Sequence, residues 1–114
     1  VDLRQTILAA TDRQRVKVHV PEWGVDVWLQ SMSVGDRDAW ENEWLAKGQQ
    51  GGVKNWRSKF LAKCLLDEAG NRVFNDSQIE ELASRSGDVV CRLFEQARKV
   101  NALTAEEIDD MAKN

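Results

Sequence analysis

The sequence predicts an α+β fold dominated by helices: a short N-terminal helix and a β-hairpin, followed by four to five helices. Three observations carry this expectation. From Lys17 to Gln30, KVHVPEWGVDVWLQ, apolar and polar residues alternate with period two on both sides of a Pro-Glu-Trp-Gly connection. From Ser33 onward, apolar residues recur at spacings of three and four. Several of those runs are preceded by Ser, Asn or Thr with an acid or glutamine three positions on, the signature of a capped helix start. At 114 residues and 13.0 kDa the chain reads as a single domain, 1–114. It divides into an N-terminal helix at 2–10, a hairpin at 15–31 and a helical part at 33–112.

Residues 2–10, DLRQTILAA, place Leu3 and Ile7 on one helical side, with Asp2 as a candidate cap. So short and polar a helix is marginal alone and is expected to dock on the rest of the chain or on a partner. In the hairpin, with strands near 15–20 and 25–31, Val18, Val20, Val25, Val27 and Leu29 share one face. Lys17, His19, Asp26, Gln30 and, unexpectedly, Trp28 share the other. Pro21 sets the first turn position, Gly24 can supply a positive φ, and Trp23 is expected at the solvent-exposed tip.

Ser33 with Asp36 opens a helix over about 34–47, on which Val34, Arg37, Trp40, Trp44 and Leu45 share a side. GQQGG, residues 48–52, reads as a break. The next helix, about 53–68, carries Val53, Trp56, Phe60, Leu61, Cys64 and Leu65 as a broad apolar stripe. It stops at Gly70, before a brief extended piece from Arg72 to Phe74. Asn75 or Ser77 caps a short helix whose Ile79, Leu82 and Ala83 face inward. Ser86 opens a helix over 87–100 with Val89, Val90, Leu93, Phe94, Ala97 and Val100 as its stripe, widened by Cys91, and Asn101 as a left-handed cap. Thr104 with Glu107 starts a last short helix bearing Ile108 and Met111.

Composition excludes several functions. The net charge is -3, with 16 cations interleaved among 19 acids and no basic stripe, which argues against nucleic-acid binding. No run approaches the ~18 apolar residues of a membrane span, and no signal-peptide pattern opens the chain. The chain begins at Val1, so an initiator Met is expected to have been removed or to lie outside this sequence. Cys64 and Cys91 read as two buried small hydrophobes in a reducing compartment, a disulfide being the alternative. Two separated Cys and one His make no metal cluster. The acidic loop 67–74 fails as a calcium loop, since Ala69 and Arg72 fall where a ligand and the glycine belong when Asp67 is first. There is no Gly-x-Ser-x-Gly, phosphate loop or dinucleotide fingerprint. His19 reads as a solvated strand residue. The expected inventory is therefore no catalytic residue, no metal and no cofactor.

All five Trp lie between positions 23 and 56. Trp40, Trp44 and Trp56 fall on apolar helix stripes and read as core. Trp23 and Trp28 do not, and exposed Trp is enriched at interfaces because it brings large area at small entropy cost. These two, together with Leu3, Ile7 and Leu8, are the candidate partner-binding residues; packing beneath the N-terminal segment is the alternative for the Trp pair. Two function classes follow: a non-enzymatic protein-binding or self-assembling adaptor, and a small regulatory domain that binds a ligand between hairpin and helices.

The ordered motifs carry a resemblance. VPEWGVDVWLQSMSVGDRDAWE resembles the opening of tail assembly chaperones from long, non-contractile-tailed (lambda-like) bacteriophages, and CLLDEAGNRVFNDSQIEEL and RLFEQARKVNALTAEEID are similar to the later parts of that family. The resemblance spans about 3–112. It implies a chaperone that binds the aggregation-prone tape measure protein, keeps it soluble while tail tube subunits polymerise around it, and self-associates. It also implies action in the host bacterial cytoplasm and absence from the mature virion. Many such proteins are made in two lengths by a ribosomal frameshift, the longer form recruiting tube protein. Ala112-Lys113-Asn114 can be encoded by the slippery run GCA AAA AAC, so the chain is expected to be the short product.

Overall fold

The computed structural model describes residues 2–47 and 54–102. Its elements are α1 (Leu3–Ala9), β1 (Arg15–Val20), β2 (Val25–Gln30), α2 (Val34–Lys47), α3 (Trp56–Cys64), β3 (Leu65–Leu66), α4 (Ile79–Ala83) and α5 (Gly87–Val100), with a 3₁₀ turn at Asp76–Gln78 before α4. This is the predicted mixture of helices with one small sheet.

The hairpin forms as its alternation dictates. Val16 pairs with Leu29, Val18 with Val27 and Val20 with Val25 on one face; Arg15 pairs with Gln30, Lys17 with Trp28 and His19 with Asp26 on the other. The backbone N–H groups of Trp23 and Gly24 both donate to the Val20 carbonyl, and Gly24 takes φ +68, the left-handed region that glycine enters without a Cβ clash. That winding corrects one expectation. Trp23 is not held in solvent at the tip; its indole is partly buried and packs against the core.

The sheet has a third strand the sequence did not announce. The helix expected over 53–68 ends at Cys64, and Leu65 and Leu66 pair antiparallel with Leu29 and Trp28. Strand order is β1-β2-β3, with β2 central. The chain then reverses through a turn in which Gly70 takes φ +91 and Asp67 Oδ1 accepts from the Asn71 N–H at 2.9 Å. Arg72 bridges back to Leu66. The apolar stripe of the helix runs on into β3 because Leu65 belongs to the core in either conformation, while pairing with β2 satisfies backbone groups that a longer helix would hide from the sheet.

The cap predictions hold at two helix starts. Ser33 Oγ accepts from the Asp36 N–H at 3.2 Å. Asn75 accepts from the Ser77 N–H, and Gln78 Oε1 accepts in return from the Asn75 N–H at 3.0 Å. At the end of α5 the expectation changes. Ala102, not Asn101, takes the left-handed conformation, with φ +58. Asn101 is instead buried, and its side chain ties three elements. Its Oδ1 accepts from the Met32 N–H at 2.7 Å, while its Nδ2 donates to the Ala97 carbonyl at 2.7 Å and lies 3.4 Å from Cys64 Sγ.

α3 and α5 pack on each other and on the inner face of the sheet. A ring of aromatic side chains closes over them. Trp40, Trp44, Trp56, Phe94 and Phe60 contact one another in that order and back to Trp40, edge to face, with centroids 5.1–5.7 Å apart. Trp40 and Trp44 are thereby buried, as their spacing predicts. Val34 and Leu45, expected on the same side, are 77% and 71% exposed. At 100° per residue they stand about 100° and 120° away from the seam between Trp40 and Trp44. The same arithmetic corrects Cys91, which lies about 130° from the centre of the α5 stripe and is exposed, whereas Cys64 is buried; both thiols are free. GQQGG, Val53 and the helix predicted from Thr104 fall outside the described residues.

Candidate interaction surfaces

The candidate residues occupy three separate places. The first is α1. Asp2 caps it, its Oδ1 accepting from the Arg4 N–H at 2.9 Å, so the helix is locally well made. None of its residues is buried: Leu3, Ile7 and Leu8 are 71%, 59% and 77% exposed. The helix does not dock on the body.

The second place is the outer face of the sheet. Trp28 is half-buried there, with the Arg15 guanidinium 5.5 Å and the Lys17 ammonium 5.7 Å from its ring centroid. Cations at that range are attracted by the ring quadrupole. The register sets Leu66 directly opposite Trp28, so both side chains share this face, and Leu66 is buried although it lies outside the main core cluster. Arg15 also donates to the carbonyls of Asp67 and Glu68, at 3.3 and 2.9 Å. Trp28 on the polar side thus roofs Leu66 under a layer of cations. Farther along, His19 Nδ1 is 2.7 Å from Asp26 Oδ1, and this imidazole, with Lys17 beside it, holds the Asp26 carboxyl below its ordinary range.

The third place is a groove of about 340 Å³ between the hairpin turn and the 65–74 segment, lined by Trp23, Val25, Val27, Leu65, Val73, Phe74 and Arg85. Val25 and Val73 are 48% and 43% exposed. Sequence reasoning found Trp23 but not the groove, whose walls come from four distant segments. A bidentate pair braces the hairpin turn beside it: Arg92 of α5 donates to both Glu22 oxygens at 2.7 and 2.8 Å, and holds the Glu22 carboxyl down to about 2.

Among the described residues no group of three His, Cys, Asp or Glu stands close enough to hold a metal ion, and no helix is long and apolar enough to cross a membrane. His19 lies on an exposed strand face with Asp26 and Lys17 as its neighbours.

Comparison with known proteins bears on the fold and the family. No curated protein matches the sequence. The structure of the bacteriophage HK97 tail assembly chaperone is similar in fold, with a TM-score of 0.62 over 85% of this chain and 95% of that one, at 22% sequence identity. The family profile described as phage tail assembly chaperone matches residues 2–114, virtually the whole sequence, and the chain therefore belongs to the phage tail assembly chaperone family.

Proposed function

We propose that this protein binds the phage tape measure protein during tail assembly and keeps it soluble, acting in the host bacterial cytoplasm and leaving before the virion is complete. It does so as a non-enzymatic holdase that self-associates, and a longer form recruits tail tube subunits. Family membership supports the setting. The observation that carries the mechanism is the uncovered apolar side of α1, where Leu3, Ile7 and Leu8 stand clear of the body. A holdase needs apolar surface for its client and charge to remain dissolved. Here 31% of residues are charged.

The test is co-expression with the neighbouring phage tail proteins followed by pull-down. The expected result is a tape measure protein recovered in the soluble fraction, bound to this chain, and lost to the pellet without it. A tape measure protein that stays insoluble, or stays soluble equally well alone, refutes the reading. The short-product reading rests on the codons of Ala112-Lys113-Asn114, which lie outside the described residues; an AAG codon at Lys113, or no overlapping downstream frame, overturns it.

A further inference from the structure

We infer that the outer edge of β1 takes up an extended partner segment as an added antiparallel strand, one that alternates apolar residues with acids. The inference rests on the reading above only in that the partner is a polypeptide, and α1 has no part in it.

The two edges of the sheet are finished differently. On the β3 side Leu66 bridges to Arg72, and the Val73 N–H donates to the Leu65 carbonyl at 3.2 Å, so returning chain covers that edge. On the other side β1 pairs with β2 alone, and among the described residues no strand lies beyond it. The ladder fixes which groups are open. The Ser31 N–H donates to the Gln14 carbonyl, so the bonded rungs recur at Val16–Leu29, Val18–Val27 and Val20–Val25. The N–H and C=O groups of Arg15, Lys17 and His19 therefore point away from β2. The register runs one to one over all six residues of β1, with no bulge to twist the edge away.

Such an edge is ordinarily guarded by charged side chains. Here the three side chains that could guard it turn inward over the sheet. Arg15 reaches past Trp28 to the Asp67 and Glu68 carbonyls, Lys17 Nζ lies 3.6 Å from Asp26 Oδ2, and His19 Nδ1 lies 2.7 Å from Asp26 Oδ1. Every one of these partners belongs to β2 or to the turn after β3, so the edge backbone is left bare.

The same row of side chains selects the occupant. An added antiparallel strand sets alternate residues beside Arg15, Lys17 and His19 on the outer face, and the residues between them beside Val16 and Val18 on the inner face. On the outer face Asp26 is shared by Lys17 and His19, while Arg15 bonds to carbonyls and has no carboxylate partner among the described residues. Positive charge is in excess there, so acids are favoured. Val16 is 44% exposed and Val18 is partly buried, so the inner face favours apolar residues. A second copy's β1 fits badly. Antiparallel pairing centred on Lys17 sets Lys17 against Lys17, and pairing centred on Val16 sets Arg15 against Lys17; like charges directly opposite are destabilising.

The experiment titrates the wild-type chain into a fluorescein-labelled synthetic peptide, Ser-Thr-Val-Glu-Val-Glu-Ser, and reads fluorescence anisotropy. Antiparallel alignment sets its Thr beside His19, its two Glu beside Lys17 and Arg15, and its two Val beside Val18 and Val16. Saturable binding below ~1 mM is expected. N-methylating both Glu removes N–H groups aimed at β1 and is expected to weaken binding about tenfold or more, whereas N-methylating both Val, whose N–H groups face away, leaves it within about threefold. Exchanging both Glu for Lys is expected to weaken it about tenfold. On the protein, Lys17→Pro removes one edge donor without touching a rung to β2 and is expected to abolish binding, while Lys17→Ala keeps most of it; circular dichroism checks both folds. No binding at ~1 mM overturns the inference. So does equal binding of the two N-methylated peptides, loss on methylating the Val pair alone, a Lys-bearing peptide that binds as tightly as the Glu-bearing one, or a folded Lys17→Pro variant that binds like wild type. Tape measure solubilisation is scored separately in the pull-down, so either reading can fail without the other.

Discussion

Replacing Asn101 by Ala tests the tie between the sheet and the helices. The buried amide accepts from the Met32 N–H at 2.7 Å and donates to the Ala97 carbonyl, with Cys64 Sγ beside it. Ala97 keeps a second donor, the Asn101 backbone N–H at 3.0 Å, so its carbonyl loses little. Met32 is itself buried and has no such reserve. An orphaned buried N–H costs about 1–3 kcal/mol, and the vacated amide volume adds roughly 1 kcal/mol, for a total of ~2–4 kcal/mol. For a domain of this size that lowers Tm by about 8–15 °C. Urea unfolding reads the free energy, and amide exchange reads the Met32 N–H directly. A companion variant, Asn101→Asp, keeps the acceptor but sets a carboxylate against the Ala97 carbonyl and the Cys64 sulfur. Burial raises the carboxyl pKa in the folded state, so the deficit is absent below its unfolded pKa, ~4, and grows as pH rises through the folded value. A loss below 1 kcal/mol for Asn101→Ala, unchanged exchange at Met32, or a deficit of Asn101→Asp independent of pH refutes the reasoning.

Three further outcomes are expected. Trp28→Ser uncovers Leu66 and costs about 1–3 kcal/mol without loss of the native circular dichroism spectrum; an unfolded product places Trp28 in the main core instead. Glu22→Gln breaks the pair with Arg92. Because Glu22 is held at about 2 against an ordinary 4.5, the stabilisation is fully present above 4.5 and is lost as pH falls toward 2, so the urea midpoints of variant and wild type converge at pH 2. Cys91 reacts with a thiol reagent at pH 8 in the folded protein, while Cys64, whose thiol burial pushes up to about 11, reacts only after unfolding; mass spectrometry of the labelled protein distinguishes them.

What sequence made legible was local. Period-two alternation set the faces of the hairpin, and hydroxyl or amide caps marked where α2 and the 3₁₀–α4 segment begin, because each depends on residues within four positions of one another. What it concealed was long-range. A two-residue strand such as Leu65–Leu66 is too short to show any period, and its existence depends on an open edge 36 residues earlier, at Leu29. The same holds for Trp28. Alternation placed it correctly on the polar face, but Leu66, the residue it covers, becomes visible only once β3 is paired. Trp23 was misjudged because its direction follows from how two N–H groups converge on Val20, not from its position at the tip. α1 is the reverse case: its apolar residues were legible, but length does not decide their exposure, since the shorter α4 buries Ile79 and Leu82 while α1 buries nothing.

An arm that serves self-association is not free for a client, which has a consequence for assembly. If Leu3, Ile7 and Leu8 are buried against a neighbouring copy, they are withdrawn from any client, and a client that takes them must first free them. Binding of the two is then competitive, and each weakens the other by the same factor. Among the described residues, the large exposed apolar side chains outside the arm and the groove are Val16 on β1 and Val34 and Leu45 on α2, the last two 77% and 71% exposed and away from the aromatic ring. A tape measure segment that uses the arms lowers the multimer mass as it is titrated in. One that uses α2 leaves the mass per copy rising by the bound segment alone, and Leu45→Lys then abolishes binding while the multimer persists. Light scattering on the same titration separates the two, because only one of these surfaces is consumed by self-association.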